Sequence, residues 1–187
     1  MRIGLDIDNI LCSTTEALLE YINERLGTTF TIADVQDYWI ENLLDDQYQW
    51  IVSEAFSSPL MWKNVKFIQE AYGPLNFLYA DGAELYFITA TTPDNLRKKV
   101  KFLERTLTFL PEGYVQSHFI SIKEKQLVHM DYLVDDYIEN LINGPYQGIC
   151  LAYPWNVQYQ EQYPEVIYCR NWHEIYTYLY HQLRSKS

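Results

Sequence analysis

Two aspartates with a single isoleucine between them close a short apolar run near the amino terminus, "RIGLDIDNILC", residues 2–12. Side chains alternate faces along a strand, so Asp6 and Asp8 share one side while Ile7 points to the other. Two carboxylates that close repel each other and are costly to desolvate. The arrangement is sustainable where a cation sits between them or where one holds a proton. The strand they end must therefore deliver them to a chemically occupied place.

The rest of the chain says what kind of sheet that strand joins. "AELYFITATT", "SHFIS", "YLVDD", "GICLAY" and "EVIYC" read as further short strands. Helices are predicted between them. Ser13 and Glu16 have capping-box spacing ahead of "TEALLEYINERLG", which Gly27 stops, and Thr31 and Asp34 repeat the start signal. Two or three more helices are expected over residues 32–79, with breaks at Ser57-Ser58-Pro59 and Gly73-Pro74, so that this region reads as helical throughout. Thr92-Pro93-Asp94 opens a long helix, and Asn171 caps a last one. Strands alternating with helices predict an α/β fold: a Rossmann-like, mostly parallel sheet with helices on both faces and a small helical cap inserted after the first strand. Residues 1–12 and 75–187 are expected to form the core, and residues 13–74 the cap.

Charge narrows the partners. The 187 residues hold 14 Lys and Arg against 25 Asp and Glu, a formal charge of −11. That argues against binding a nucleic-acid polymer or an anionic membrane, and a small anionic ligand would need locally concentrated positive charge. No apolar stretch reaches the roughly 18 residues of a membrane helix and no export signal precedes "RIGLD", so a cytoplasmic location is expected. Cys12, Cys150 and Cys169 fit neither a disulfide framework nor a zinc spacing and read as buried thiols. Whether the chain works alone or as a homodimer is left open.

In open parallel sheets, ligands bind beyond the carboxyl ends of the strands. Three predicted strands end there in polar residues: Asp6 with Asp8, Thr89 with Thr91, and Asp135 with Asp136. With Lys125 in "SIKEKQ", this order resembles the four motifs of the haloacid dehalogenase superfamily of phosphatases. The resemblance implies that Asp6 is the nucleophile, Asp8 the general acid and base, and that Thr89, the backbone of Ala90 and Lys125 bind the phosphoryl group. It also implies a Mg²⁺ site drawn from Asp6, Asp8, Asp135 and Asp136, with Asp135 as direct ligand and Asp136 acting through water or holding Lys125, the two being exchangeable. Asp8 needs a raised pKa to act first as an acid. Lys123 is a rival to Lys125, whose ten-residue spacing to Asp135 is preferred.

A receiver domain of two-component signalling uses similar parts, but with the acidic pair on the first strand and the phosphorylated Asp later, the reverse of the order here. Within the superfamily the chain is most similar to the 5′(3′)-deoxyribonucleotidase group, through "LDIDNIL", "ELYFITATT", "KEKQLVHMDYLVDD", "YPWNVQ" and "VIYCRNWHEI". It departs from that pattern at Asn9, Ile10 and Asn140. The resemblance implies a nucleoside monophosphate as substrate, with cap aromatics such as Trp39, Phe56 and Trp62 lining the base pocket. A non-catalytic binding module and a phosphatase for another small ester are the alternatives. His118 and His129 read as structural, and Cys12 as packing beneath the cap.

Overall fold

The computed structural model describes residues 1–185. Among them six parallel strands form one sheet in the order β3-β2-β1-β4-β5-β6. The chain runs β1 (Arg2–Leu5), α1 (Thr14–Leu26), α2 (Trp50–Ser57), α3 (Pro59–Asn64), α4 (Tyr72–Ala80), β2 (Glu84–Thr89), α5 (Pro93–Thr106) and α6 (Tyr114–Ser117). It continues through β3 (Phe119–Ser121), β4 (Tyr132–Asp135), α7 (Ile138–Leu141), β5 (Gln147–Leu151), β6 (Ile167–Cys169) and α8 (Trp172–Ser185). The expected α/β fold is therefore the one observed.

β1 lies at the centre, with Leu5 opposite Phe87 of β2 on one side and Val134 of β4 on the other. Ile3, Leu5 and Ile7 are fully buried in the larger core, which also takes in Leu75 of α4, Leu103 of α5 and Ile175 of α8. The opposite face begins at Gly4, where a Cβ would stand 2.7 Å from Ile88 Cδ1 and 3.0 Å from Leu133 Cδ1. Glycine is the residue that lets these two side chains meet across β1, and α7 closes this second core with Ile138 and Leu141. Asp6 and Asp8 follow Gly4 on that alternation, and Asp6 N–H extends the ladder to Val134 C=O at 2.9 Å.

Residues 13–66 leave and return through a narrow neck. Ser13 N–H donates to Lys66 C=O and Ile68 N–H to Leu11 C=O, each at 2.9 Å, and Cys12 pairs antiparallel with Phe67. Within the excursion α1 packs on α2 and α3, whereas α4 packs on α8 of the sheet layer.

Three local expectations change here. The stretch before α2 is not helical throughout but a series of short 3₁₀ turns at Ile32–Asp34, Ile40–Leu43 and Asp46–Tyr48. Its Asp-rich, aromatic sequence lacks the sustained apolar period that stabilises an α-helix through packing. Gly73-Pro74 does not interrupt a helix; both lie in the first turn of α4, where proline lacks only an amide that has no helical partner anyway. The Ser13 hydroxyl is spent on Lys66 instead of capping α1. The Asn9 side chain does that work, its Oδ1 accepting Thr15 N–H at 3.0 Å. Gly27 stops α1 at φ 67°, Thr31 and Asp34 do form their box around the first 3₁₀ turn, and Asn171 Oδ1 accepts Glu174 N–H.

Candidate active site

The carboxyl ends of β1, β2 and β4 are neighbours, so residues distant in sequence meet there. The Lys125 Nζ is buried between two carboxylates, donating to Asp6 Oδ1 and to Asp135 Oδ2, each at 2.6 Å. Lys123 is exposed. One oxygen from each of Asp6, Asp135 and Asp136 lies within 4.8 Å of the others, and all three residues are buried.

The acidic pair divides its work. Asp135 is saturated with donors: Tyr137 N–H to Oδ1, and Asn140 Nδ2 and Lys125 to Oδ2. Asp136 instead accepts from Asn9 Nδ2 at 2.9 Å. Asp135 is thus the member of the pair that holds Lys125, and Asp136 the one bonded to Asn9. The late loop braces both: Tyr153 OH donates to Asn9 C=O at 2.7 Å, and Asn156 Nδ2 to Asp136 C=O at 2.9 Å.

Three carboxylates around one ammonium leave an excess of buried negative charge. Burial, reinforced by Asp135 and Asp8 against the opposing pull of Lys125, pushes the Asp6 carboxyl up to about 7. Burial, then Asp135 and Asp6, lifts Asp136 well above the carboxylate range. For Lys125 burial works the other way, but Asp135 and Asp6 outweigh it and raise the ammonium's pKa.

Asp8 stands apart from this cluster. Its Oδ1 accepts Thr14 Oγ1 at 2.7 Å and its Oδ2 is ion-paired with Lys99, which also donates to Thr89 Oγ1 at 3.0 Å. Burial opposes the Asp8 charge, yet Lys99 and then Thr14 hold its carboxyl below the usual range. The raised pKa expected for an acid is therefore not present in the ligand-free protein. Lys99 is the residue that sequence reasoning missed. Its signal was a lysine in step with Leu96 and Leu103 on the apolar side of α5, where a charge is buried only with a partner.

Thr89 is buried beside Lys99, and Ala90 follows it exposed at the strand end. A cavity of about 480 Å³ opens against Asp8 and Lys99, between α3 and α5, floored by Ile7, Cys12, Val65, Trp62 and Phe102. Of the three aromatics expected around a base, Trp62 lines this cavity. Phe56 packs behind it, with centroids 6.5 Å apart and its carbonyl accepting Trp62 Nε1, whereas Trp39, 57% exposed, lies edge-on to Tyr137 beside the acidic pair at 6.4 Å. The Tyr38 hydroxyl feels the acids: burial, then Asp136, Asp6, Asp135 and Asp8, drives its pKa up. His118 stacks on Tyr114 and His129 is exposed, so neither joins the site. Cys12 is buried, its thiol pushed up by that burial, which disfavours the nucleophilic thiolate.

Solved structures of haloacid dehalogenase-like proteins share this fold. A haloacid dehalogenase-like protein of Agrobacterium tumefaciens superposes with a TM-score of 0.67 at 12% identity, covering 97% of this chain and 98% of that one. A hydrolase of the same class from Deinococcus radiodurans, crystallised with bound phosphate and sodium, gives 0.63 at 9% over 93% and 92%. These likenesses are to the fold of the haloacid dehalogenase superfamily. The profile of one of its families, described as 5′ nucleotidase, deoxy (Pyrimidine), cytosolic type C protein, matches residues 1–186, and the chain belongs to this family. A predicted 5′(3′)-deoxyribonucleotidase of Staphylococcus epidermidis is 23% identical over 182 residues, 95% of this chain and 94% of that protein. One of Staphylococcus aureus is 21% identical over 136 residues, 72% of each chain. Among the described residues no helix is long and apolar enough to cross a membrane.

Proposed function

We propose that the protein is a Mg²⁺-dependent phosphomonoesterase that works through a phosphoryl-Asp6 intermediate and accepts (deoxy)nucleoside 5′-monophosphates. The observation that carries this reading is the buried group of Asp6, Asp135 and Asp136 around the single ammonium of Lys125. Three hard oxygen donors with uncompensated negative charge fit a divalent cation. Asp6 and Asp136 would hold it, and when bound it would neutralise Asp6 and the incoming phosphate together. The phosphate recorded in the Deinococcus hydrolase supports the same assignment.

In the proposed reaction an Asp6 oxygen forms a bond to phosphorus as the bond from phosphorus to the ester oxygen breaks. Asp8 gives that oxygen its proton. Asp8 then takes a proton from water as the water oxygen displaces Asp6, releasing phosphate. Lys125, Thr89 and the Ala90 backbone would hold the equatorial oxygens. Lys99 joins them from its place between Asp8 and Thr89. A phosphoryl group that draws Lys99 away from Asp8 would release the carboxyl from the charge that keeps it ionised, which suits the acid role. Residues 13–66, hinged at the neck, would form the cap, a smaller unit than 13–74 because α4 packs on α8.

The test is phosphate release from nucleoside monophosphates, sugar phosphates and an aryl phosphate, with Mg²⁺ and with EDTA, beside Asp6→Asn. Metal-dependent release that favours nucleotides and vanishes in a folded Asp6→Asn protein is the expected result. Release by that variant at the wild-type rate removes Asp6 as nucleophile, release from the aryl phosphate alone removes the nucleotide, and no release from any ester returns the chain to a binding role.

A further inference from the structure

The cavity beside Asp8 holds more positive charge than one phosphate ester uses. Five of the chain's 14 Lys and Arg residues line it, in a protein of charge −11: Lys99 at its base, with Lys63, Lys98, Lys101 and Arg105 around its mouth. Lys99 is paired with Asp8. The other four take part in none of the ion pairs found among the described residues. Lys98 Nζ instead bonds Asn95 Oδ1 and lies 5.3 Å from the Trp62 ring centroid, and Arg105 Nε donates to Lys101 C=O. The one other carboxylate in the lining, Glu104, is tied to Gln116 Nε2 at 2.7 Å.

A basic helix face is often simply solvated. Here, however, Lys98, Lys101 and Arg105 follow one another at three- and four-residue steps on α5, where like charges destabilise a helix, and Lys63 faces them from α3 across the opening. Such convergence is relieved by an anion between the two helices. Position says which anion. The cavity touches Asp8, which in the proposed mechanism protonates the leaving oxygen; of the groups that attend the reacting phosphoryl group there, Lys99 alone is in its lining, at the base, and Asp6, Thr89 and Lys125 are not.

We infer that the substrate's leaving group carries a second phosphoryl group, held between α3 and α5 by Lys63, Lys101 and Arg105, so that the preferred esters are nucleoside bisphosphates. This rests on the phosphatase reading and names its substrate more closely. The apolar floor, with Trp62 and Phe102, receives the base, and the basic mouth receives the distal phosphate.

The experiment compares a nucleoside 3′,5′-bisphosphate with the 5′-monophosphate of the same base, in kinetics and in titration calorimetry, for the wild type and for Lys63→Gln/Lys101→Gln/Arg105→Gln. A handful of exposed charge pairs of this kind gives the bisphosphate a KM about 10-fold lower, a preference that shrinks with added salt and disappears in the triple variant. Equal KM values for the two esters in the wild type overturn the inference, as does a variant that weakens both equally. If neither ester is hydrolysed, the phosphatase reading falls. Calorimetry then decides the inference separately: tighter binding of the bisphosphate, lost in the variant, sustains the second phosphate site, and equal binding removes it.

Discussion

Asn9 donates from Nδ2 to Asp136 Oδ2 at 2.9 Å, and so joins the first strand's exit to the acidic pair 127 residues away. The same side chain accepts Thr15 N–H with Oδ1, and the residue sits at φ 58°, the left-handed conformation that favours glycine and tolerates asparagine. Asn9 thus meets the backbone need of the turn and adds two side-chain bonds.

Asn9→Gly is therefore expected to keep the turn and lose the brace. Loss of a positioning contact to a candidate metal ligand costs on the order of 10-fold in activity or in Mg²⁺ affinity. Asn9→Ala loses the same bonds and also strains the backbone, by about 1–2 kcal/mol, so it should unfold at a lower temperature than the glycine variant. Wild-type Mg²⁺ dependence in the folded glycine variant would show that Asn9 serves the turn alone.

The acidic cluster makes a pH prediction for the metal-free protein. Asp6 titrates near 7 when folded against 3.8 for its ordinary value, and Asp136 moves in the same direction, so the folded state binds more protons than the unfolded chain between these limits. Stability must then fall as pH rises from about 4 to 7. Asp8 has the opposite sign, its contribution being lost only as pH drops below the carboxylate range. Melting in EDTA should accordingly show a higher Tm at pH 5 than at pH 8, with Mg²⁺ restoring the loss at pH 8. A Tm that rises between pH 5 and pH 8 in EDTA would mean that the three carboxylates do not burden the fold.

Lys99→Met tests the cation that sequence reading overlooked. Methionine fills the buried site without the charge, so Asp8 loses its ion pair while α5 keeps its packing. A loss of about 100-fold in kcat/KM is expected from removing a preorganised cation at a phosphoryl site. The alkaline limb of the kcat/KM profile, which an acid such as Asp8 sets, should also move to higher pH, because Asp8 is no longer held ionised. Lys99→Arg, with a planar fork in place of a compact ammonium, should rescue poorly. An unshifted alkaline limb would separate Lys99 from Asp8 in the working enzyme.

The strands were legible as short apolar runs such as "AELYFITATT" and "YLVDD", and Asp6, Asp8, Thr89 and the acidic pair because each ends such a run, while Lys125 was picked by its ten-residue spacing to Asp135. Lys99 was not, since its partner lies 91 residues away and a lysine within "NLRKKVKFLERTL" looks solvated until the helix is docked. The division of labour between Asp135 and Asp136 was equally hidden. It depends on Asn9 and Asn140, whose significance as donors appears only when β1 and β4 are neighbours. Residues 32–49 were misread because their order comes from tertiary contacts: Val35 and Ile40 are buried although no α-helix forms around them.

One of those contacts latches the excursion to the sheet. Tyr38 stacks on Tyr137, next to the acidic pair, with centroids 3.9 Å apart and planes at 24°, and Trp39 meets Tyr38 edge-on at 5.4 Å. Stacked rings contribute about 0.5–1.5 kcal/mol beyond their burial, and they add to the burial of Val35, Ile40 and Leu44 in holding a segment whose short 3₁₀ turns give it little stability of their own. Tyr137→Ala should therefore speed amide exchange and proteolytic cleavage within residues 28–49 while leaving α1 and the sheet protected. If closure of this segment shields the phosphoryl site, KM should rise more than kcat falls. Unchanged exchange in 28–49 would place the latch elsewhere, with the neck at Ser13 and Lys66 as the alternative hold on the segment.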